Sequence, residues 1–178
     1  MANIPYYQQK DIENIKKLRE MMKELPPFCT EFFRGIEPRT STRTRIAYAY
    51  DLSVFFDFLK KENPVFAKME RMDFKLEQLD QITVTDLEEY MEYLKYRFNE
   101  QNHEIMNQER GIMRKISSLK SFYNYFFRTE KLTTNPAALV RLPKLHDKEI
   151  IRLDVESSTS SGCRRAGRRP YRKTKSLS

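Results

Sequence analysis

The sequence predicts an all-α domain, a small helical bundle, followed by a disordered basic tail. Three observations carry this. Apolar residues recur at steps of three and four up to about residue 140, the spacing of one helix face, and no stretch alternates as a half-buried strand would. Four Gly and no Trp beside ten Tyr and twelve Phe suit aromatic packing between helices better than a turn-rich sandwich. At 178 residues the chain holds one hydrophobic core and a tail, with no room for a second large domain.

The first helix is predicted over residues 8–24, with Ile12, Ile15, Leu18 and Met22 on one face, and Pro26 and Pro27 end it. A short second helix over residues 27–34 carries Phe28 and Phe32 on one side, and Gly35 is expected to cap its C-terminus. Ser41 or Thr42 caps a third helix over residues 41–62, whose stripe is Tyr48, Leu52, Phe55, Phe56 and Leu59. Asn63 and Pro64 stop it, and a connector containing Leu79 follows. Thr83 and Asp86 form a capping-box relative at the start of a fourth helix, with Val84, Leu87, Met91, Leu94 and Phe98 on its buried face. The stretch NEQNHE reads as a polar loop. A fifth helix, RGIMRKISSLKSFYNYFFR, buries Ile112, Ile116, Leu119, Tyr123 and Phe126, and Asn135 and Pro136 start a short closing helix.

Beyond Val155 the character changes. Residues 156–178 hold seven basic residues and one acid, Glu156, with almost nothing apolar, so this tail is expected to be disordered. It supplies most of the net charge of +8 and leaves residues 1–155 at +2. Two readings stand: a basic arm for nucleic acid, and residues with no evolved role whose Arg, Ser and Gly enrichment resembles translation out of frame.

Several function classes find no support. Cys29 and Cys163 form no C-x-x-C pair, which favours a reducing compartment and incidental thiols. The N-terminus has no signal-peptide core and no window reaches a membrane span, so a cytoplasmic protein is expected, with no membrane partner. His103 and His146 stand apart from other ligand types at zinc-site spacing, and no phosphate-binding glycine loop or nucleophile elbow is present. No metal and no cofactor is expected.

What stands out is the polar side of the fifth helix. Arg110, Arg114, Ser117, Ser121, Asn124 and Arg128 recur at helical spacing along one face, with Lys115, Ser118 and Lys120 flanking it. Guanidinium and ammonium groups reach phosphates and guanine edges, while small hydroxyl side chains let a helix approach a groove closely. A solvated face with a chance basic excess is the bland alternative. A second cluster, Arg39, Thr40, Ser41, Thr42, Arg43, Thr44 and Arg45, surrounds the start of the third helix, where free backbone N–H groups also favour a phosphate. Two basic helical surfaces in a nearly neutral body point to double-stranded DNA as the partner.

The order of pieces also resembles a known family. Thr44, Tyr48, Asp51, Leu52, Phe55, Phe58 and Leu59 resemble the second helix of the core-binding domain of tyrosine recombinases and phage-type integrases (Xer-like); ITVTDLEEYMEYL and RKISSLKSFYNYFFRTEKLTTNPA are similar to its later helices, and VRLPKL to its interdomain linker. The likeness covers residues 36–155. It implies a SAM-like bundle that presses two helices into the major groove, with DNA contact at Thr42, Arg43, Arg114, Lys115, Ser117 and Lys120, and with the first helix serving contacts between recombinase protomers. The expected organisation is residues 1–35 as N-terminal helices, 36–140 as the core-binding domain, 141–155 as a linker remnant and 156–178 as the tail. The family's R…K…H-x-x-R…H/W…Y constellation has no counterpart here: His103 leads to Met106, His146 leads to Glu149, and Tyr171 lies in the tail without partners. No strand-transfer chemistry is therefore expected of this chain, which leaves DNA binding or, alternatively, a helical interaction module that pairs with a full-length recombinase.

Overall fold

The computed structural model describes residues 5–98 and 103–142. They belong to the first of two compact units, Met1–Leu145, and the second, His146–Ser178, lies outside them. So do most of the 141–155 linker, the 156–178 tail, Tyr171, His146 and Cys163.

The described residues form a helical bundle: α1 (Tyr6–Lys23), α2 (Cys29–Ile36), α3 (Thr42–Glu62), α4 (Val84–Lys95), α5 (Glu109–Arg128) and α6 (Pro136–Leu139). Short 3-10 turns occupy Glu37–Arg39, Arg71–Asp73 and Leu76–Gln81. The starts follow side-chain chemistry. Ser41 Oγ accepts from Thr44 N at 3.2 Å at the head of α3, Asn135 Oδ1 accepts from Ala138 N at 3.2 Å at the head of α6, and Thr83 and Asp86 exchange bonds in a full capping box before α4.

The core is aromatic. Phe32, Phe55, Phe56, Phe66, Phe122 and Phe126 are fully buried. Phe28 from the α1–α2 turn meets Phe56, Phe122 and Phe126 with centroids 6.0, 6.2 and 6.2 Å apart, so α2, α3 and α5 share one ring cluster. Cys29 is buried in this core, and burial pushes its thiol well above the ordinary range.

Four expectations are corrected. Gly35 lies inside α2, where the Tyr125 ring covers the space a Cβ would take. The fourth helix stops at Lys95, and Phe98 is exposed rather than buried. In its place Tyr96–Phe98 (β1) pairs antiparallel with Glu104–Met106 (β2), a hairpin that no sequence pattern predicted. A three-residue alternation, with Tyr96 and Phe98 outward and Arg97 inward, is too short to register as a strand pattern, and Asn107 ties the hairpin to the end of α4 by donating Nδ2 to Leu94 O at 2.6 Å. Finally, Leu18 is buried on α1, whereas Ile12 and Ile15 stay exposed, because α1 meets the core through Leu18, Met21 and Met22 near its C-terminal end.

Helix α5 ends in a Schellman turn: Lys131 N donates to Phe126 O at 2.9 Å and Glu130 N to Phe127 O at 3.2 Å. Glu130 takes the left-handed position, φ 56°, where glycine is usual.

Candidate nucleic-acid interface

Helices α3 and α5 pack side by side, joined at one buried acid. Asp51 on α3 is 0% exposed. Its Oδ2 accepts from Ser118 Oγ at 2.7 Å, its Oδ1 accepts from Arg114 Nη2 at 2.8 Å, and Lys115 Nζ lies 3.8 Å away. Three side chains of the predicted α5 face therefore converge on one carboxylate. Burial pushes the Asp51 carboxyl above its ordinary value, against the Ser118 hydrogen bond and the Arg114 and Lys115 charges, which pull it down. Burial likewise lowers Lys115, with Asp51 opposing.

This convergence sorts the predicted site residues. Lys115 (4% exposed) and Ser118 (0%) face inward, because α5 is covered on that side by α3 as well as by its apolar contacts. Neither presents its polar group to solvent. Arg114 spans both sides: its side chain is 48% exposed while its guanidinium holds Asp51. Arg110, Ser117, Asn124 and Arg128 are exposed and Ser121 is half-buried. Ser117 Oγ donates to Met113 O at 2.8 Å and Ser121 Oγ to Ser117 O at 3.1 Å, so both hydroxyls fold back on the helix and leave its surface low. Lys120 is turned toward α6, donating Nζ to Val140 O at 2.9 Å.

At the start of α3, Arg43 and Arg39 are exposed. Thr42 Oγ1 donates to Asp11 Oδ1 at 3.1 Å, which anchors α1 beside this end. Arg45 is turned to Glu37, Nη1 to Oε1 2.8 Å, with only 11% of its side chain exposed, so it braces the preceding turn. Thr40 Oγ1 donates to Ile36 O at 2.7 Å and has the same effect. Among the described residues Arg43, Arg110 and Arg128 are exposed and carry no ion pair.

Tyr50, Asp51 and Arg97, which the sequence did not single out as functional, adjoin this face. Tyr50 on α3 lies under Lys115, Nζ 5.7 Å from the ring centroid, and its hydroxyl accepts from Arg97 Nη2 at 3.2 Å. Asp51 was visible as part of a family-like motif, and its position in RIAYAYDLSVFF, three residues after Tyr48 and four before Phe55 on the buried stripe, is the signal that it needed partners. Arg97 gave no such signal, since its inward position depends on the hairpin. Among the described residues no cluster of three or more His, Cys, Asp or Glu could hold a metal ion, and no helix is long and apolar enough to cross a membrane.

The bundle and this face define a helical module whose arginines and small hydroxyls gather on two adjoining helices. Known proteins resemble it in sequence. The chain is 36% identical over 140 residues to tyrosine recombinase XerC of Caldanaerobacter subterraneus subsp. tengcongensis, a match covering 75% of this chain and 38% of that protein. It is 31% identical over 113 residues to XerC of Anoxybacillus flavithermus, covering 64% and 31%, and 30% identical over 140 residues to tyrosine recombinase XerD of Rickettsia bellii, covering 76% and 39%. The chain belongs to the tyrosine recombinase family. It spans well under half the length of these relatives. No known family profile and no solved structure matches it.

Proposed function

We propose that this chain is the DNA-binding, core-binding part of a site-specific tyrosine recombinase, laying α3 and α5 against duplex DNA without itself carrying the strand-transfer chemistry. The supporting observation is the open cationic face: Arg43 and Arg110 exposed without ion pairs, Arg114 half exposed, and the Ser117 and Ser121 hydroxyls folded back so that a groove can approach. In this reading Thr42, Arg43, Arg110, Arg114, Ser117 and Ser121 meet the DNA. Lys115 and Ser118 act from behind, holding Asp51 and through it Arg114. Lys120 and Arg45 meet phosphate only by giving up Val140 O and Glu37.

Two helices against one side of a duplex make few phosphate contacts, so affinity is modest and steeply dependent on salt, because binding is driven mostly by counterion release. Titration of duplex DNA at two salt concentrations, with the full chain and with residues 1–155, tests this. Binding that requires residues 156–178 would assign it to the basic tail and remove the role of the helix face. On suicide substrates carrying a recombination site no covalent adduct forms and Tyr171→Phe changes nothing, since the sequence holds no counterpart of the family's R…K…H-x-x-R residues, whose cations would stabilise a transferring phosphoryl group. An adduct abolished by Tyr171→Phe would overturn the non-catalytic reading.

A second reading is favoured by one observation. Ile12 and Ile15 leave an apolar edge on α1 exposed, suited to packing against another recombinase protomer. Sedimentation of the chain mixed with a full-length relative tests it, with Ile12→Lys expected to abolish co-sedimentation and a complex unaffected by that change counting against it.

A further inference from the structure

Behind Tyr50 a cleft of about 490 Å3 opens among α3, α4 and the hairpin, walled by Tyr50, Ser53, Arg71, Tyr93, Arg97 and Ile105. Arg97 is 6% exposed there. Its Nη2 donates to the Tyr50 hydroxyl at 3.2 Å, its Nε has no partner, and among the described residues no carboxylate stands within the 4.0 Å of an ion pair. An arginine does not relieve burial by losing its proton, so its charge has to be met by something. Its neighbours do not meet it. Arg114 and Lys115 already share Asp51, Lys115 and Arg97 repel one another, Asp57 on the cleft wall is engaged by Arg71, and Glu24 lines the cleft without pairing to Arg97. Asp51 is thus taken by two cations, and Arg97 has none of it.

The Tyr50 hydroxyl accepts from Arg97, so its own proton is free, and no acceptor for it stands among the described residues. A guanidinium fork and a hydroxyl proton converging at the mouth of a cleft match the oxygens of a phosphate. We propose that Arg97 and Tyr50 form a phosphate-oxyanion site. We assign its ligand to a backbone phosphate of the bound duplex, an assignment of source that rests on the DNA-binding reading above. Tyr50 follows Arg43 by seven residues, two helical turns, and so continues the same face of α3.

The test uses the full chain, with inorganic phosphate and duplex DNA as separate probes. Replacing chloride by phosphate at constant ionic strength raises the melting temperature of the parent chain, raises that of Tyr50→Phe less, and leaves Arg97→Met unmoved. Without phosphate, Arg97→Met melts no lower than the parent, because an unpaired buried charge has been replaced by an apolar chain of similar length. In DNA titrations Arg97→Met lowers the slope of log affinity against log salt by about one. A phosphate-induced shift with an unchanged DNA slope keeps the oxyanion site and overturns its assignment to DNA, making a free phosphate compound the ligand. Equal phosphate shifts in the parent, Tyr50→Phe and Arg97→Met overturn the site. Should the full chain bind no duplex at all, the DNA-binding reading fails while the melting experiment still decides the site.

Discussion

Replacing Asp51 by Asn keeps the shape and the acceptor for Ser118 but removes the charge that faces Lys115. Lys115 then lies with 5% of its side chain exposed and no anion beside it, whereas Arg114, half exposed, turns to water. Losing one partner of a buried pair costs about 3–5 kcal/mol. A ceiling follows from chemistry: Lys115 escapes by losing its proton, which for an amine of ordinary value 10.5 costs about 5 kcal/mol at pH 7. We expect Asp51→Asn to lose about 3 kcal/mol in urea unfolding. Where the variant's Lys115 is neutral in the folded chain, its value is depressed, so stability rises with pH through that window, by about 1.4 kcal/mol per unit. Lys115→Met in the Asp51→Asn background restores most of the loss. A cost that persists in that double variant, or one that does not vary with pH, would refute the claim that Lys115's orphaned charge is the cause. In the parent chain the sign differs: the raised Asp51 value means the folded state holds that proton longer, so its contribution is full below the ordinary 3.8 and is lost as pH rises through the raised value.

Other substitutions probe the scaffold. Glu130→Gly relieves a left-handed L-residue in the α5 Schellman turn and stabilises by about 1 kcal/mol, measured as a rise in the urea midpoint at constant m-value. Gly35→Ala pushes a methyl group into the Tyr125 ring, whose Cζ and OH lie 2.6 Å from the new carbon, and destabilises by about 1–3 kcal/mol. With Tyr125→Ala the sign reverses, because only the helix-propensity gain of up to about 1 kcal/mol is left. Thr83→Ala and Asp86→Ala each cost about 1 kcal/mol, and together less than the sum, since either breaks the same capping box before α4.

The helices were legible because their apolar positions repeat at helical spacing and their starts carry Ser41, Thr83 and Asn135 as caps. The hairpin was not, because three residues a side carry no readable period and its register depends on Asn107 reaching back to Leu94. The role of Gly35 was hidden for a reason that local sequence cannot supply: the ring it accommodates comes from Tyr125, ninety residues away. On the candidate face, spacing puts Arg110, Arg114, Ser117 and Ser121 on one side of α5, but a helical wheel shows one apolar side and cannot show that a second side of α5 is covered by α3. Lys115 and Ser118 therefore looked like surface residues, and Asp51, which gathers them, went without a role.

The proposed role of α3 and α5 stands or falls on whether the helix face meets the duplex. The direct measurement is the salt dependence of duplex affinity for residues 1–155, compared with the same chain bearing Arg43→Gln and Arg110→Gln. Both arginines are exposed and without ion pairs, so their replacement leaves the fold intact by circular dichroism. The expected result is weaker binding and a slope of log affinity against log salt reduced by about two, one for each phosphate that is no longer neutralised. An unchanged slope, or binding that disappears with residues 156–178 and is indifferent to these two arginines, would contradict a DNA-binding role for α3 and α5.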